Sequence, residues 1–352
     1  MTFLTQALLA CLFTSLLIIW LRRPAERFGL VDHPGGRKRH GDVVPLTGGL
    51  SIAVGFFAAL AVSFHALGDF AVFLVAMAVL ATIGLLDDLG EVSPRTKLGV
   101  QVLAAVLMTS WGNHFLTDLG DLFGRGPIAL ANWAIPLTVF ATLAVINGIN
   151  MLDGADGLAG GLVAVMLGYF ALFSLWIGEV NALKIVLVLL GAVIGFLLFN
   201  APHPWRGHRR TFMGDTGSLV LGFAVAWFSI GLTQRSSQAV PPVVMLWVVG
   251  LVLFDVFTVT VRRIVQRRDP AAPDRAHIHH LLQRCGLSAT QTWVLLLLVG
   301  AALGAIGTIG WQAGLAESLQ FGGFIALGLV YFALFFSPAW LLRWRRRRLR
   351  AS

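Results

Sequence analysis

Long apolar stretches alternate with short polar connections along the whole chain. Eleven such stretches, each near the length that a helix needs to cross a bilayer, occupy residues 4–21, 46–67, 70–86, 98–115, 127–146, 158–178, 182–199, 217–234, 240–261, 290–311 and 319–342. They are continuous and too long for β-barrel strands of about ten residues. The pattern predicts an all-α polytopic membrane protein with about 11 transmembrane helices, forming one domain over residues 1–352.

Composition supports the membrane assignment. Of the 352 residues, 57% are hydrophobic and 12% are charged, whereas soluble domains carry about 25% charged residues. This excludes a soluble globular domain, and the number of apolar stretches excludes a single-span receptor and a peripheral enzyme. The two cysteines do not indicate a disulfide framework.

The basic residues predict the orientation. Connections 22–45, 87–97, 200–216 and 262–289 and the tail after residue 342 hold 23 of the 26 Lys and Arg residues. Because short basic loops stay in the cytoplasm, we expect a multi-pass protein with its N-terminus outside and its C-terminus on the cytoplasmic side. Topology thus explains the net charge of +9 without nucleic acid, and the basic tail 343–352 is expected to bind anionic membrane lipid.

Acidic and histidine residues gather on the same predicted face. Together with the connection at 147–157, the cytoplasmic connections contain eleven of the 17 Asp and Glu residues and seven of the nine His residues. Carboxylates contribute little to topology, so this clustering indicates chemistry. We expect an active site built from loops 22–45, 87–97, 147–161, 200–218 and 262–289.

Three of these loops carry oxygen donors suited to a divalent cation. Asp87 and Asp88 precede Lys97, which could neutralise phosphate oxygens, although paired acids at a helix end can equally be a solvated cap. The other two loops combine Asn or Asp with glycine-rich turns, which also suit an ordinary turn or a helix N-cap. Their candidate residues are Asn147, Asn150, Asp153, Asp156, Asn200, Asp215 and Ser218.

The remaining candidates are basic or lie within a predicted span. His277, His279 and His280 follow Arg275 and suit phosphate or sugar recognition; zinc is a weaker alternative, because neither a Cys pair nor a Glu at metalloprotease spacing is present. Arg37 and Lys38 could bind substrate, although topology partly explains their charge. Asp255 is either functional or paired with Arg262.

Five separated segments resemble one family in order and predicted topology. They are residues 29–49, Asp87-Asp88 with Lys97, residues 147–161, Asn200 with residues 212–218, and His277-Ile278-His279-His280. In these segments the chain resembles the polyprenyl-phosphate N-acetylhexosamine-1-phosphate transferases, the superfamily of WecA and MraY. The His-Ile-His-His form is similar to the WecA branch, which uses UDP-N-acetylglucosamine.

The resemblance implies a reaction in which undecaprenyl phosphate attacks the β-phosphorus of a UDP-N-acetylhexosamine. The products are undecaprenyl-pyrophosphate-GlcNAc and UMP, and the reaction would initiate O-antigen or other cell-envelope polysaccharide synthesis. It further implies a location in the bacterial inner membrane, with the N-terminus in the periplasm. It also implies Mg²⁺, with Mn²⁺ as an alternative, and a homodimer, since family members often form dimers. Another UDP-HexNAc or UDP-MurNAc-pentapeptide is the alternative donor.

The resemblance also suggests residue roles. Asp215 and Asn150 would bind the metal, and Asn147, Asn200, Arg275, Arg37 and Lys38 would bind substrate. Asp87 and Asp88 would orient or deprotonate the lipid phosphate. The other implied catalytic residues are Lys97, Asp153, Asp156, His277, His279 and His280.

Three other functions fit less well. A P-loop ATPase lacks its motif here. Asp153-x-x-Asp156-Gly157 resembles part of the motif of CDP-alcohol phosphotransferases, but that motif's further aspartates are missing. A secondary transporter of a phosphorylated solute would place polar residues near the midplane of two repeated halves, whereas these residues cluster on one predicted face.

Overall fold

The computed structural model describes residues 2–32, 43–63, 68–203, 209–234, 239–268 and 277–337. These residues are almost entirely helical. The helices are α1 Phe3–Phe28, α2 Gly48–Ser63, α3 Ala71–Leu89, α4 Pro94–Ser110, α5 Ala134–Leu152, α6 Leu158–Trp176, α7 Val180–Asn200, α8 Gly214–Gln234, α9 Pro242–Val248, α10 Gly250–Val265, α11 Ile278–Arg284, α12 Ala289–Gln312 and α13 Glu317–Phe336. Strands β1 Val31–Asp32 and β2 Val44–Pro45 form a short antiparallel pair.

The helices confirm a polytopic membrane protein. In the described residues, eight helices are long and apolar enough to cross a membrane, or nine if the bent pair α9 and α10 is one span. The other two predicted stretches correspond to α2, which is apolar but short, and α4, which begins with the polar segment Pro94-Arg95-Thr96-Lys97. Eleven spans and their orientation therefore stay predictions.

Several helices extend into segments that the sequence suggested were loops. Asn147 and Asn150 lie in the last two turns of α5, and Asp87 and Asp88 lie in the last turn of α3. The Asn147 amide can remain helical because its Nδ2 donates to the Leu143 carbonyl one turn earlier. The polar segments are thus shorter than predicted, and rigid helix ends carry these side chains.

The chain divides into two compact units, and the first comprises the described parts of Met1–Asp118 and Ala129–Val240. Its centre is α8, which is almost entirely buried and packs against α2, α3, α5 and α6. Phe73, Phe223 and Trp227 form part of an aromatic core between α3 and α8. This packing fixes the end of α3 against the start of α8.

Close backbone approach sets that contact. A Cβ atom on Gly84 of α3 would lie 2.5 Å from the Thr216 Cα of α8. Similarly, a Cβ on Gly49 of α2 would collide with the backbone of Gly217. The amino end of α8 can therefore approach both neighbouring helices only because glycines face it.

The second unit comprises the described parts of Leu119–Ile128 and Pro241–Ser352. Its helices α9 and α10 are bent by 73° around Val249. The α9 helix packs on α12 and the α10 helix packs on α13, with Trp247, Phe254 and Phe324 in ring contact. The prediction of a single domain remains a prediction.

Candidate active site

Asp88 caps the amino end of α8 from a neighbouring helix. Its Oδ1 accepts from the Asp215 backbone N–H at 2.8 Å, and its Oδ2 accepts from the Thr216 N–H at 3.0 Å and the Thr216 hydroxyl at 2.6 Å. A carboxylate at a helix amino end is favoured by the exposed N–H groups and the helix dipole. Both oxygens are engaged, so Asp88 positions Asp215.

Gly214 is required by the same contact. Its φ of +69° lies in the left-handed region, and a Cβ there would lie 2.5 Å from Asp88 Oδ2. Both the backbone conformation and the space therefore exclude a larger residue. The contact with Asp88 therefore explains why glycine directly precedes Asp215.

Lys97 joins two carboxylates that come from different helices. Its Nζ donates to Asp87 Oδ2 at 3.0 Å and to Asp215 Oδ2 at 2.9 Å. Burial by itself would lower the pKa of Lys97, but the hydrogen bonds and charges of Asp215 and Asp87 outweigh burial and raise it. The side chains of Lys97, Asp87 and Asp215 are 25%, 17% and 25% exposed, so solutes can reach them.

The two asparagines of α5 make different contacts. Asn150 Nδ2 donates to Asp215 Oδ1 at 3.0 Å and to Ser218 Oγ at 2.8 Å. Asn147 Nδ2 donates to Gln101 Oε1 of α4 at 2.8 Å. Asn150 therefore belongs to the Asp215 cluster, whereas Asn147 links α5 to α4.

The turn between α5 and α6 brings two more carboxylates to this unit. Burial raises the pKa of Asp153 well above 3.8, and the negative charges of Asp215, Asp88 and Asp156 raise it further. Asp156 Oδ1 accepts from an Arg210 guanidinium nitrogen at 2.6 Å, and the same guanidinium lies 4.5 Å from the Phe212 ring centroid. Negative charge is thus concentrated around Asp215.

Asn200 fixes this turn at the end of α7. The side chain is buried; its Oδ1 accepts from the Gly157 N–H at 2.6 Å and its Nδ2 donates to the Thr211 carbonyl at 2.7 Å. Gly157 has a φ of +71°, which suits glycine. Asn200 therefore ties the α5–α6 turn to the segment that leads into α8.

The predicted histidines lie in the second unit, beside Asp255. His277 Nδ1 lies 2.7 Å from Asp255 Oδ2, and Tyr331 donates its hydroxyl to Asp255 Oδ1 at 3.0 Å. His279 is fully buried, and burial and the His280 charge lower its pKa to about 3. Asp255 therefore contacts the histidine segment, and both interpretations of Asp255 stay predictions.

Four sequence predictions lie outside the described residues. They are Arg37, Lys38, Arg275 and the basic tail 343–352. Conversely, the sequence did not point to Gln101 or Tyr331. It also did not pair Thr216 with Asp88 or Arg210 with Asp156. A signal existed for Tyr331, one of two tyrosines in the chain, because its hydroxyl falls in an apolar span.

The donor chemistry around Asp215 suits Mg²⁺. In the described part of the chain, no group of three or more His, Cys, Asp or Glu side chains could hold a metal ion by itself. Mg²⁺, however, usually binds one or two carboxylates together with substrate phosphates and water. Asp215 fits that mode, whereas the Asn150 amide is directed as a donor to Asp215.

Comparison with known proteins identifies the family. Glycosyl transferase family 4 matches residues 70–233, which include α3 to most of α8. An undecaprenyl-phosphate α-N-acetylglucosaminyl 1-phosphate transferase of Haemophilus influenzae is 35% identical over 338 residues, covering 96% of this chain and 95% of that protein. Proteins of the same name from Yersinia pestis and Escherichia coli K12 are 31% and 33% identical, covering 100% and 88% of this chain and 98% and 84% of their own lengths. The resemblance inferred from the motifs is confirmed: the chain belongs to glycosyl transferase family 4, within the superfamily of WecA and MraY.

Proposed function

We propose that this protein transfers N-acetylglucosamine-1-phosphate from UDP-N-acetylglucosamine to undecaprenyl phosphate. An oxygen of the lipid phosphate forms a bond to the β-phosphorus of the nucleotide sugar. The bond from that phosphorus to the oxygen bridging the two phosphates breaks, and UMP leaves. The observation that carries the proposal is the Lys97 contact with Asp87 and Asp215, in a chain similar to transferases of that name.

The charges around Asp215 support a phosphate-transfer site. Phosphoryl transfer needs mainly positioning and neutralisation of charge on oxygen atoms. Lys97 is held protonated by two carboxylates and can contact phosphate oxygens. Mg²⁺, or Mn²⁺ in its place, would be held by Asp215 and would neutralise charge on the donor pyrophosphate.

The engaged geometry of Asp88 favours positioning over base catalysis. Its three hydrogen bonds hold the backbone and hydroxyl of the α8 amino end. Moreover, a phosphate monoester has a second pKa near 6, so it carries little removable proton at neutral pH. Asp87 accepts from the Val92 N–H and from Lys97 Nζ, so it positions Lys97 in the same way.

The direct test is UMP release from UDP-GlcNAc by purified protein with undecaprenyl phosphate. We expect release that requires both the lipid and Mg²⁺ and that falls at least 100-fold, as an order of magnitude, in Asp215→Asn. The control is Asp121→Asn in the second unit, an aspartate that accepts from the backbone N–H groups of Arg125 and Gly126. Folded protein without release from any UDP-HexNAc would refute the proposal and favour the transporter.

The proposal includes a bacterial inner-membrane location with the Asp215 cluster facing the cytoplasm, and a homodimer. It also includes a role at the start of O-antigen or other envelope polysaccharide synthesis. Orientation is tested with single cysteines at two exposed residues, Arg95 on the predicted cytoplasmic side and Phe123 on the predicted outer side. The background lacks Cys11 and Cys285.

In cells with a permeabilised outer membrane, a membrane-impermeant maleimide should label position 123 and not position 95. The reverse labelling would refute the orientation.

A further inference from the structure

A carboxylate is buried in the apolar core of the second unit. Asp255 lies on α10 and is 2% exposed, near the ring cluster of Phe254, Phe324 and Tyr331. A buried charge is costly unless hydrogen bonds satisfy it. Its partners therefore indicate why this position is acidic.

Three donors converge on Asp255. Its Oδ1 accepts from the Ile278 backbone N–H and from the Tyr331 hydroxyl, both at 3.0 Å, while its Oδ2 lies 2.7 Å from His277 Nδ1. Two of these donors belong to the His277–His280 segment, and the third comes from α13. Asp255 thus anchors the segment to two helices.

The contact also decides which nitrogen His277 offers. An ionised carboxylate only accepts hydrogen bonds, so His277 Nδ1 must carry the hydrogen. In a neutral imidazole the other nitrogen, Nε2, then has the free lone pair. Asp255 therefore fixes both the ring position and the tautomer of His277.

The neighbouring His279 ring packs against His277. The His279 ring lies nearly parallel to His277, with centroids 6.0 Å apart and an interplanar angle of 9°. Within the described part of the chain, neither His279 ring nitrogen has a hydrogen-bond partner although both are buried. A buried ring with two unsatisfied nitrogens depends on its packing for its orientation, and His277 supplies part of that packing.

We propose that Asp255 and Tyr331 are positioning residues for the transfer reaction, acting through His277. Asp255 holds the Nδ1–H tautomer, and Tyr331 holds the Asp255 carboxylate in place. The inference rests on the proposed function, because it assigns these residues to the turnover of the same enzyme. Neither residue needs to contact substrate.

Asp255→Asn tests the tautomer directly. The amide oxygen can replace Oδ1 and satisfy Ile278 and Tyr331, but the NH₂ group then faces His277 and forces Nδ1 to become an acceptor. We expect turnover to fall about 10–100-fold, as for other residues that orient a functional histidine, with the KM for UDP-GlcNAc changed less than about threefold. Tyr331→Phe keeps the His277 contact and should lower turnover by a smaller factor than Asp255→Asn does.

A double-variant cycle distinguishes positioning from general destabilisation. If Asp255 acts through His277, adding Asp255→Asn to His277→Gln should lower turnover by less than about a further twofold. If the losses of turnover in the two single variants instead multiply in the double variant, the inference is overturned. Full turnover in Asp255→Asn would overturn it as well. Thr308→Val is the matched control, since Thr308 is also buried in this unit and its hydroxyl donates to the Gly304 carbonyl of its own helix.

A spectroscopic measurement separates this inference from the function. In protein with ¹⁵N-labelled histidine, the signal assigned to His277 by its loss in His277→Gln should report Nδ1–H in the wild type and Nε2–H in Asp255→Asn. An unchanged tautomer overturns the inference whatever the substrate is, whereas absent UMP release from wild-type protein overturns only the proposed reaction. If Asp255→Asn does not fold, unchanged turnover in Tyr331→Phe overturns the inference.

Discussion

The fold disfavours the ionised form of Asp153. Because burial and neighbouring carboxylates raise its folded-state pKa above 3.8, its stability contribution is complete below that unfolded-state value and is lost as pH rises through the folded value. At neutral pH, Asp153→Asn should therefore raise the melting temperature of metal-free protein, by about 2–4 °C if the gain is about 1 kcal/mol. Thermal unfolding in detergent at several pH values measures this gain, which should shrink as pH falls.

The adjacent aspartate provides the control for that experiment. Asp156 forms an ion pair with Arg210, so Asp156→Asn should not stabilise the protein. Stabilisation by both substitutions would show that any lost negative charge suffices, and would contradict the specific position of Asp153. Because a cation also relieves this repulsion, the Asp153→Asn gain should be smaller with Mg²⁺ present.

Asn200 acts through two buried hydrogen bonds rather than through charge. Asn200→Ala leaves the Gly157 N–H and the Thr211 carbonyl without the partners that they have in the structure. Unsatisfied buried groups cost about 1–3 kcal/mol each, so we expect a loss on the order of 2–4 kcal/mol in unfolding free energy. Thr82→Ala removes an exposed hydrogen bond to Ala78 and should cost less than about 0.5 kcal/mol. Equal losses in chemical denaturation would contradict this role.

At the scale of elements, the contact between α3 and α8 holds the acidic cluster together. Gly84→Ala would push a Cβ atom against Thr216 and displace Asp88, which lies one turn further along α3. We expect a loss of about 1–3 kcal/mol in stability, with a parallel loss of UMP release. Thermal unfolding and the release assay measure the two effects.

The same helical substitution elsewhere isolates the effect of the contact. A Cβ on Gly99 of α4 would meet nothing within 4 Å, so Gly99→Ala should be neutral or stabilise by up to about 1 kcal/mol through helix propensity. If Gly99→Ala destabilises the protein as much as Gly84→Ala does, replacing any helical glycine lowers stability. The close approach to α8 would then not be the cause.

The apolar pattern predicted where helices form but not how they end or bend. Each apolar stretch contains a helix because burial and backbone hydrogen bonding favour helices in a bilayer. Hydrophobicity does not report the 73° bend at Val249. The apolar pattern also placed Asn147 in a loop, because its side chain is polar. In the structure Asn147 stays helical, because its amide bonds the Leu143 carbonyl and the Gln101 side chain.

The candidate site was predictable where charges cluster in sequence and hidden where single residues meet in space. Asp87, Lys97 and Asp215 were recognisable from their motifs, and the structure joins them. Thr216 and Tyr331 are partners of carboxylates on distant segments. No local spacing encodes such pairs, so only tertiary packing reveals them.

At the scale of the whole molecule, the first unit concentrates negative charge that a divalent cation would neutralise. Five carboxylates, at positions 87, 88, 153, 156 and 215, are connected by hydrogen bonds or mutual repulsion, while Lys97 and Arg210 supply the positive charges that contact them. A ligand that binds only the folded state stabilises it, by about 2.7 kcal/mol at 100 times its Kd. Mg²⁺ should therefore raise the melting temperature of the wild type by about 5 °C.

Asp215→Asn decides whether that stabilisation comes from the proposed site. The variant keeps the shape of the side chain but loses the charge that Lys97 and Asn150 contact, so its melting temperature should no longer respond to Mg²⁺. NaCl at matched ionic strength controls for screening, which acts on all exposed charges. If Mg²⁺ raises the melting temperature of Asp215→Asn as much as that of the wild type, the cation binds elsewhere in the acidic cluster. The contact between Lys97 and Asp215 would then be a structural ion pair only.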